Sequence, residues 1–153
     1  MNTRVQPDKS SPKAEQGQSL VEFALVAVLL LIIVAGIVDL GRLFYTWIAL
    51  REAAQEGAVF GAICPDGFLI DRHVRNSSYF PVDLSDTSQV EVSSSIVEPG
   101  EDSDGLGTVA YVQVTYKNFR FGMPFLSTIL GTDTIEISAT ANDLVLQKSC
   151  PDS

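Results

Sequence analysis

The sequence has few of the residues on which catalysis and metal binding depend. Its 153 residues include one histidine, His73, and two cysteines, Cys64 and Cys150, and contain no CxxC, HExxH, Walker or GxGxxG pattern. One histidine leaves no persuasive Ser-His-Asp or Cys-His combination, and the cysteine spacing does not support a zinc site. We therefore predict that the protein is not an enzyme, has no metal or cofactor, and carries His73 as a surface residue.

Basic residues are also scarce, and they are unevenly distributed. The sequence contains ten Lys and Arg residues and nineteen Asp and Glu residues, which gives a formal charge of −9. Residues 63–153 contain thirteen carboxylates and five basic residues. Because nucleic-acid binding depends on neutralising phosphates, we expect no nucleic-acid partner. The acidic stretch Glu98–Gly107 lacks the full spacing of an EF-hand loop, so we interpret it as a solvated turn region.

One long apolar run stands out against this polar background. Phe23–Val38 is sixteen uncharged, almost wholly apolar residues. With Leu20, Val21 and Leu40 the run is long enough to cross the hydrocarbon core of a bilayer. We predict a membrane span over about residues 20–40, preceded by a polar cytoplasmic leader over residues 1–17. A secretory signal peptide is the rival interpretation, but no small-residue cleavage site follows the run.

Helical periodicity continues beyond the apolar run. One stripe has alternating spacings of three and four, formed by Leu40, Leu43, Trp47, Leu50, Ala54, Gly57 and Gly61. This pattern predicts a single helix from about Ser19 to Ile63, ended by the sequence Pro65-Asp66-Gly67. As domains, we predict a long helix over residues 18–63 and a head over residues 64–153.

Small side chains are concentrated in the second half of this helix. Ala54, Gly57, Ala58 and Gly61 belong to two rows of small residues with a spacing of four. Such rows allow another backbone to approach closely, and each glycine would cost an isolated helix about 1 kcal/mol relative to alanine. The rows are expected either beneath the protein's own sheet or on a surface reserved for another subunit.

The remaining sequence predicts a small head with both helix and strand. Residues 68–80 have a weak pattern for a short helix with Leu69, Ile70 and Val74 inward, and three stretches alternate apolar and polar residues with the period of a strand. These stretches begin at Gln89, Thr108 and Thr134. We expect the fold class α+β, with the long N-terminal transmembrane helix continuing into a roughly three-stranded antiparallel sheet. The apolar connection between the last two strands is expected to pack Met123, Phe125, Leu126 and Ile129 against the sheet or the lipid.

Charged and sulfur-containing residues mark the ends of these segments. If the head lies outside the cytoplasm, we expect a disulfide between Cys64 and Cys150, and two free thiols are the alternative.

Asp39 and Arg42, spaced i, i+3, are expected to pair on one helix face and end the span. Glu22 lies at the start of the apolar run, where a charged side chain costs free energy if it enters the membrane unpaired. We therefore expect it to stay at the interface, to pair with a cation or to serve a function.

Motifs within residues 17–62 resemble those of a known family. "GQSLVEF" begins at Gly17, "DLGRLF" follows the apolar run from Asp39, and "REAAQEGA" begins at Arg51. In combination these stretches closely resemble the TadE-like segment of tight-adherence (Flp-type) pilus proteins, which are pseudopilins or minor pilins. The rest of the chain resembles the family only in outline.

The resemblance implies a processing site and a role for the glutamate. In type IV prepilins a hydrophilic leader ends in glycine, a prepilin peptidase cuts after it, and the fifth mature residue is glutamate. Cleavage between Gly17 and Gln18 puts Glu22 in that place, where it would help to align the subunit with its neighbour by compensating an N-terminal amine. Gln18 differs from the phenylalanine often found at the first mature position of other prepilin classes.

The resemblance also implies a location and partners. We expect a structural protein of the bacterial inner membrane, single-pass, with its N-terminus inside and its head outside, and the pilus or cell surface as a further location. The implied partners are the membrane, other pilin or pseudopilin subunits, the prepilin peptidase, and the pilus assembly platform with its ATPase. The alternative is an uncleaved, membrane-anchored extracytoplasmic binding module, which would keep an intact N-terminus and not depend on Glu22.

Overall fold

The computed structural model is an α+β protein with two helices and one sheet among the residues it describes. The backbone is described for residues 12–77, 80–99, 107–123, 131–147 and 149–150, and side chains from residue 17 onward. The elements are α1 Pro12–Ile63, α2 Gly67–Asn76, β1 Val90–Val97, β2 Val109–Arg120 and β3 Thr134–Leu144. The predicted fold class is confirmed. The expectations for residues 1–11, for the centre of the acidic turn and for Phe125, Leu126 and Ile129 lie outside the described residues.

Helix α1 ends where the sequence predicts but begins earlier. It starts at Pro12 rather than near Ser19, because proline fits the first turn of a helix and residues 14–16 are good helix formers. After Ile63 the chain leaves the helix, and Asp66 caps α2 by accepting hydrogen bonds from the amides of Phe68 and Leu69 at 2.9 and 3.1 Å. The two helices are therefore separated by three residues with defined roles.

The chain divides into two units between Val38 and Asp39. In the first unit, the described residues belong to α1. Among the described residues, Gly17–Ile63 contains one helical segment that is long and apolar enough to cross a membrane, and none of its most apolar window is buried inside the protein. An unburied apolar helix of this length is suited to single-pass anchoring in a bilayer.

The second unit, which we call the C-terminal unit, contains an antiparallel sheet in the order β1-β2-β3. Val92 pairs with Val114, and Val114 pairs with Ala139, so apolar residues of all three strands lie on one face. The register shifts between Tyr116 and Phe119, where a bulge interrupts the ladder. The apolar residues of the alternation predicted from the sequence therefore form the inward face of the sheet.

One layer of helix covers this apolar face. The core includes Leu50, Ile70, Val112 and Val114, all fully buried, and burial of each such side chain stabilises the fold by about 1.5–3 kcal/mol. Small residues of α1 lie in the same core. The ones with little or no exposure are Ala49, Ala53, Ala54, Ala58 and Ala62. Leu40, the first residue of the predicted stripe, is instead 68% exposed.

The two glycines of α1 lie directly against this layer. A Cβ added at Gly57 would be 2.5 Å from Cγ2 of Val74 and 3.1 Å from Cγ1 of Val112. At Gly61 it would be 3.0 Å from Cβ of Ala110 and from Cδ1 of Ile70. The small residues thus serve the packing of α1 against the protein's own sheet and α2.

The end of the chain returns to the end of α1. The amide of Leu146 donates a 2.7 Å hydrogen bond to the carbonyl of Ala62, and Cys150 forms a disulfide with Cys64, 86 positions away. The predicted disulfide is confirmed. In the chain-entropy model, closing a loop of this length stabilises the folded state by about 4–5 kcal/mol.

Replacement of Gly57 by alanine tests the close packing. We expect Gly57→Ala to destabilise the C-terminal unit by about 1–3 kcal/mol, since the new methyl group must displace Val74 or Val112. Gly41→Ala is the matched control, because a Cβ there meets nothing within 4 Å and alanine favours the helix by up to about 1 kcal/mol. Denaturant unfolding of the full chain in detergent, followed by Trp47 fluorescence, measures both. Equal stability of the two variants would contradict the packing argument.

Candidate functional site

The residues of the predicted processing and assembly site lie on α1 in the first unit. Gly17, Gln18 and Glu22 are all exposed. Together with Val21 and Leu25 they line one shallow concavity along the helix. The peptide bond between Gly17 and Gln18 lies inside the helix, five residues after its start at Pro12. Glu22 is therefore the charged side chain of this concavity, beside polar Gln18 and apolar Val21 and Leu25.

Asp39 makes contacts that the sequence did not predict. Its side chain is 7% exposed, and its two carboxylate oxygens accept hydrogen bonds from the amides of Gly122 and Met123 at 2.9 and 2.8 Å. The predicted partner, Arg42, is farther away, with Nη1 3.5 Å from Oδ1 and a side chain 55% exposed. Asp39 therefore ties α1 to the chain that follows β2, and the Arg42 contact is the weaker of its interactions.

Gly122 is part of this arrangement. A Cβ at this position would be 2.9 Å from Oδ1 of Asp39, so a larger residue here would displace the carboxylate from its position against the two amides. The sequence contains a weak signal for this, a glycine two residues after the end of β2, but no spacing rule links positions 39 and 122. The guanidinium of Arg42 lies 5.6 Å from the ring centroid of Phe119, which gives it a cation–π contact.

His73 has more contacts than a simple surface residue. Its Nε2 lies 3.1 Å from Oε1 of Glu56, and its ring stacks on Phe60 with centroids 4.3 Å apart. The side chains of His73 and Glu56 are each 37% exposed. In the described part of the chain no group of three or more His, Cys, Asp and Glu residues is arranged to hold a metal ion. The contacts of His73 join α2 to α1.

A hydrogen-bonded turn precedes β1. The Asp86 carboxylate accepts hydrogen bonds from the hydroxyl and amide of Ser88 at 2.6 and 2.9 Å and from Nε2 of Gln89 at 2.8 Å. The hydroxyl of Tyr116 donates to Oε1 of Gln89 at 2.8 Å. The Ser88 hydroxyl, then its amide and Gln89, lower the pKa of Asp86 below its ordinary value. The ionised carboxylate therefore holds this turn against β2.

Replacement of Asp39 tests its role. Asp39→Ala leaves two partly buried amides without their acceptor, and we expect a loss of roughly 2–3 kcal/mol from the free energy of unfolding. The matched control is Asp133→Ala, at an exposed position. Denaturant unfolding of the full chain in detergent, monitored through Trp47, gives both values. A loss for Asp39→Ala no larger than for Asp133→Ala would show that these hydrogen bonds contribute little.

The lowered pKa of Asp86 predicts a pH dependence. A carboxyl group whose pKa is lower in the folded state stabilises the fold at pH values above its unfolded-state pKa. This stabilisation is lost as the pH falls through the folded-state pKa. We therefore expect Asp86→Ala to lower the unfolding midpoint at neutral pH and to differ little from the parent chain in strong acid. Thermal unfolding across the acid range measures this. A difference between the two chains that is the same at every pH would contradict the linkage.

Comparison with known proteins bears on the first unit and the start of the second. A family model described as TadE-like protein matches residues 17–59, whereas no curated protein and no solved structure matches the chain. TadE-like proteins are a structural family of the tight-adherence pilus and are not known as enzymes, so the match implies a role in such a pilus, with the membrane and other pilus subunits as partners. Residues 17–59 are therefore similar to the TadE-like family, which agrees with the resemblance of their motifs.

Proposed function

We propose that the protein is a pseudopilin or minor pilin of a tight-adherence pilus, cleaved by a prepilin peptidase between Gly17 and Gln18. The observation that carries this proposal is the family match over residues 17–59, which begins at Gly17 and includes Glu22. The mature chain then begins with the unburied apolar part of α1. Its function is structural, through assembly with other subunits.

The state of α1 around the cleavage site is compatible with processing. Gly17 and Gln18 are exposed, and nothing lies within 4 Å of a Cβ placed at Gly17. A glycine within a helix weakens it by about 1 kcal/mol relative to alanine, which favours local unwinding at this point. A peptidase at the membrane surface can therefore reach the bond that joins the leader to the apolar run.

The charge of Glu22 favours assembly with a neighbouring subunit after cleavage. An ionised carboxylate next to an apolar span is costly without a cation, and the cost is about 3 kcal/mol if the group is drawn to the centre of the bilayer. Cleavage creates a positive amine at Gln18, and the amine of a neighbouring subunit can compensate Glu22. The exposed position of Glu22 leaves it accessible to such a neighbour.

The disulfide supports a topology with the C-terminal unit outside the cytoplasm. Cys64 and Cys150 are joined, and disulfides persist in oxidising compartments such as the bacterial periplasm. Arg4, Lys9 and Lys13 precede the apolar run, and basic residues favour the cytoplasmic side. The protein then crosses the inner membrane once with its N-terminus inside, where the assembly platform and its ATPase also act.

Mass spectrometry of the N-terminus tests the cleavage. The full chain is extracted from membranes of cells with and without the native prepilin peptidase. We expect a chain beginning at Gln18 only where the peptidase is present. A chain that keeps residues 1–17 in native cells would overturn the processed-pilin function and favour the uncleaved anchored binding module.

Variants of two glutamates separate assembly from processing. We expect Glu22→Ala to be cleaved normally but to be recovered in the pilus or assembly fraction at a tenth or less of the normal yield. The reason is that the amine of the neighbouring subunit then has no carboxylate to compensate its charge, and an uncompensated charge in a membrane is costly. Glu52→Ala is the matched control, since Glu52 is an exposed glutamate of the same helix outside the apolar run. Normal assembly of Glu22→Ala would contradict the proposed role of this residue.

A further inference from the structure

A cavity of the C-terminal unit lies at one end of the sheet and is partly open to solvent. Its volume is about 970 Å³. It is lined by residues 116–120 at the end of β2, by Ser88 and Gln89 just before β1, by residues 80–82, and by residues 42–46 of α1. The function proposed above assigns no role to this cavity.

The lining of the cavity is basic, although the chain is acidic. The described residues that line it include Arg42 and Arg120 and no carboxylate, whereas the whole chain has a formal charge of −9. Arg42 lies 3.5 Å from Asp39. For Arg120, which is exposed, no carboxylate in the described parts of the chain lies within ion-pair distance. Arg120 is therefore the guanidinium of this cavity that can pair with a carboxylate from elsewhere.

The cavity also exposes large aromatic side chains. Phe80 is 96% exposed and Tyr45 69% exposed, and both line the cavity. Exposed apolar groups of this size mark surfaces that contact a partner. Aromatic residues and arginine are also the residue types that are enriched in protein–protein interfaces. The lining thus fits an acidic protein segment that carries some apolar residues.

The acidic stretch Glu98–Gly107 has this composition. It contains four carboxylates and no basic residue, together with the apolar residues Pro99 and Leu106. The carboxylates are Glu98, Glu101, Asp102 and Asp104. The acidic stretch and the cavity are therefore complementary both in charge and in apolar content.

The acidic stretch and the cavity belong to opposite ends of the sheet. The stretch connects β1 to β2, and Val97 pairs with Val109 at that end of the ladder. At the other end Val90 pairs with Tyr116, which lines the cavity. The two complementary surfaces of one chain therefore face in opposite directions along the strands.

The length of the connection decides which cavity the acidic stretch can enter. Asp102 is five positions after Val97, and Asp104 is five positions before Val109. Five residues of fully extended chain reach about 18 Å. Arg120 is eleven positions along β2 from Val109, which is about 36 Å of strand. The difference is more than the two side chains can span, so the acidic stretch cannot bind the cavity of its own chain.

We propose that the acidic stretch of one copy binds in the cavity of a second copy, so that copies of this chain associate head to tail. Carboxylates of the stretch pair with Arg120, while Phe80 and Tyr45 contact its apolar residues. Because the two surfaces differ, each added copy leaves one cavity and one acidic stretch free, and the contact can repeat. The contact requires neither cleavage at Gly17 nor Glu22, so its failure is distinguishable from failure of the function proposed above.

Native mass spectrometry of the purified full chain in an uncharged detergent, at increasing protein concentration, tests the association. We expect dimers together with trimers and longer oligomers, because a head-to-tail contact does not close after two copies. A chain that remains monomeric at every concentration would overturn the proposal. A chain that stops at two copies would indicate a symmetric contact and would overturn it as well.

Variants of Arg120 test the cavity. We expect Arg120→Glu to weaken association at least about tenfold, because it places like charges against each other. Arg120→Gln, which removes the charge without reversing it, is the second variant and is expected to act in the same direction. Arg72→Glu is the matched control, since Arg72 is exposed on α2 and does not line the cavity. Unchanged association of both Arg120 variants, or an equal loss with Arg72→Glu, would overturn the site.

Neutralisation of the acidic stretch tests the other surface. The combined variant is Glu101→Gln, Asp102→Asn and Asp104→Asn. Its matched control removes three exposed carboxylates elsewhere, by Glu52→Gln, Asp133→Asn and Glu136→Gln. A smaller net charge by itself favours association, so we expect the control to associate at least as well as the parent chain and the variant of the stretch to associate about tenfold more weakly. Equal behaviour of the two combined variants would overturn the role of the acidic stretch.

A mixture of two defective chains tests the direction of the contact. The Arg120→Glu chain keeps its acidic stretch, and the chain with the neutralised stretch keeps its cavity. We expect each to be largely monomeric alone and an equimolar mixture to form heterodimers that do not grow further. Absence of heterodimers in the mixture would overturn the head-to-tail contact.

Discussion

The closeness of α1 to the sheet is the constraint on which the rest of the C-terminal unit depends. At Gly57 and Gly61 no added Cβ would fit without moving Val74, Val112 or Ile70. Because the helix lies so near, Val112 and Val114 can be fully buried by a single helical layer. A three-stranded sheet has only one apolar face to cover, so one helix with small residues is sufficient. The glycines that weaken α1 as an isolated helix are thus the ones that stabilise its packing.

Two polar contacts fix α1 at either end of this interface. Asp39 accepts hydrogen bonds from the chain just after β2, and the carbonyl of Ala62 accepts one from the chain just after β3. Both contacts join the helix to residues that follow a strand rather than to the strand itself. The sheet is therefore held against α1 at its two ends by hydrogen bonds and between them by apolar packing. Such an arrangement sets the register of the helix as well as its distance from the sheet.

The sequence predicted the elements well because their signals are local. Alternation in β2 and β3 gave the inward residues Val112, Val114, Ile137 and Ala139, and the sequence from Pro65 to Gly67 gave the end of α1. The start of α1 was predicted too late because residues 12–16 have helix propensity without apolar periodicity. The partner of Asp39 could not be predicted, since Gly122 is 83 positions away and the nearby Arg42 satisfied the i, i+3 rule.

The disulfide has a consequence for how the protein survives damage. Cys64 and Cys150 enclose almost the entire chain after α1, so any single break of the backbone between them leaves both fragments covalently joined. The hydrogen bond from Leu146 to Ala62 lies beside this link and keeps the chain ends aligned. A nicked chain therefore retains all three strands on the helix that anchors it. A single cut in a loop between the two cysteines is therefore a local defect and does not release part of the C-terminal unit.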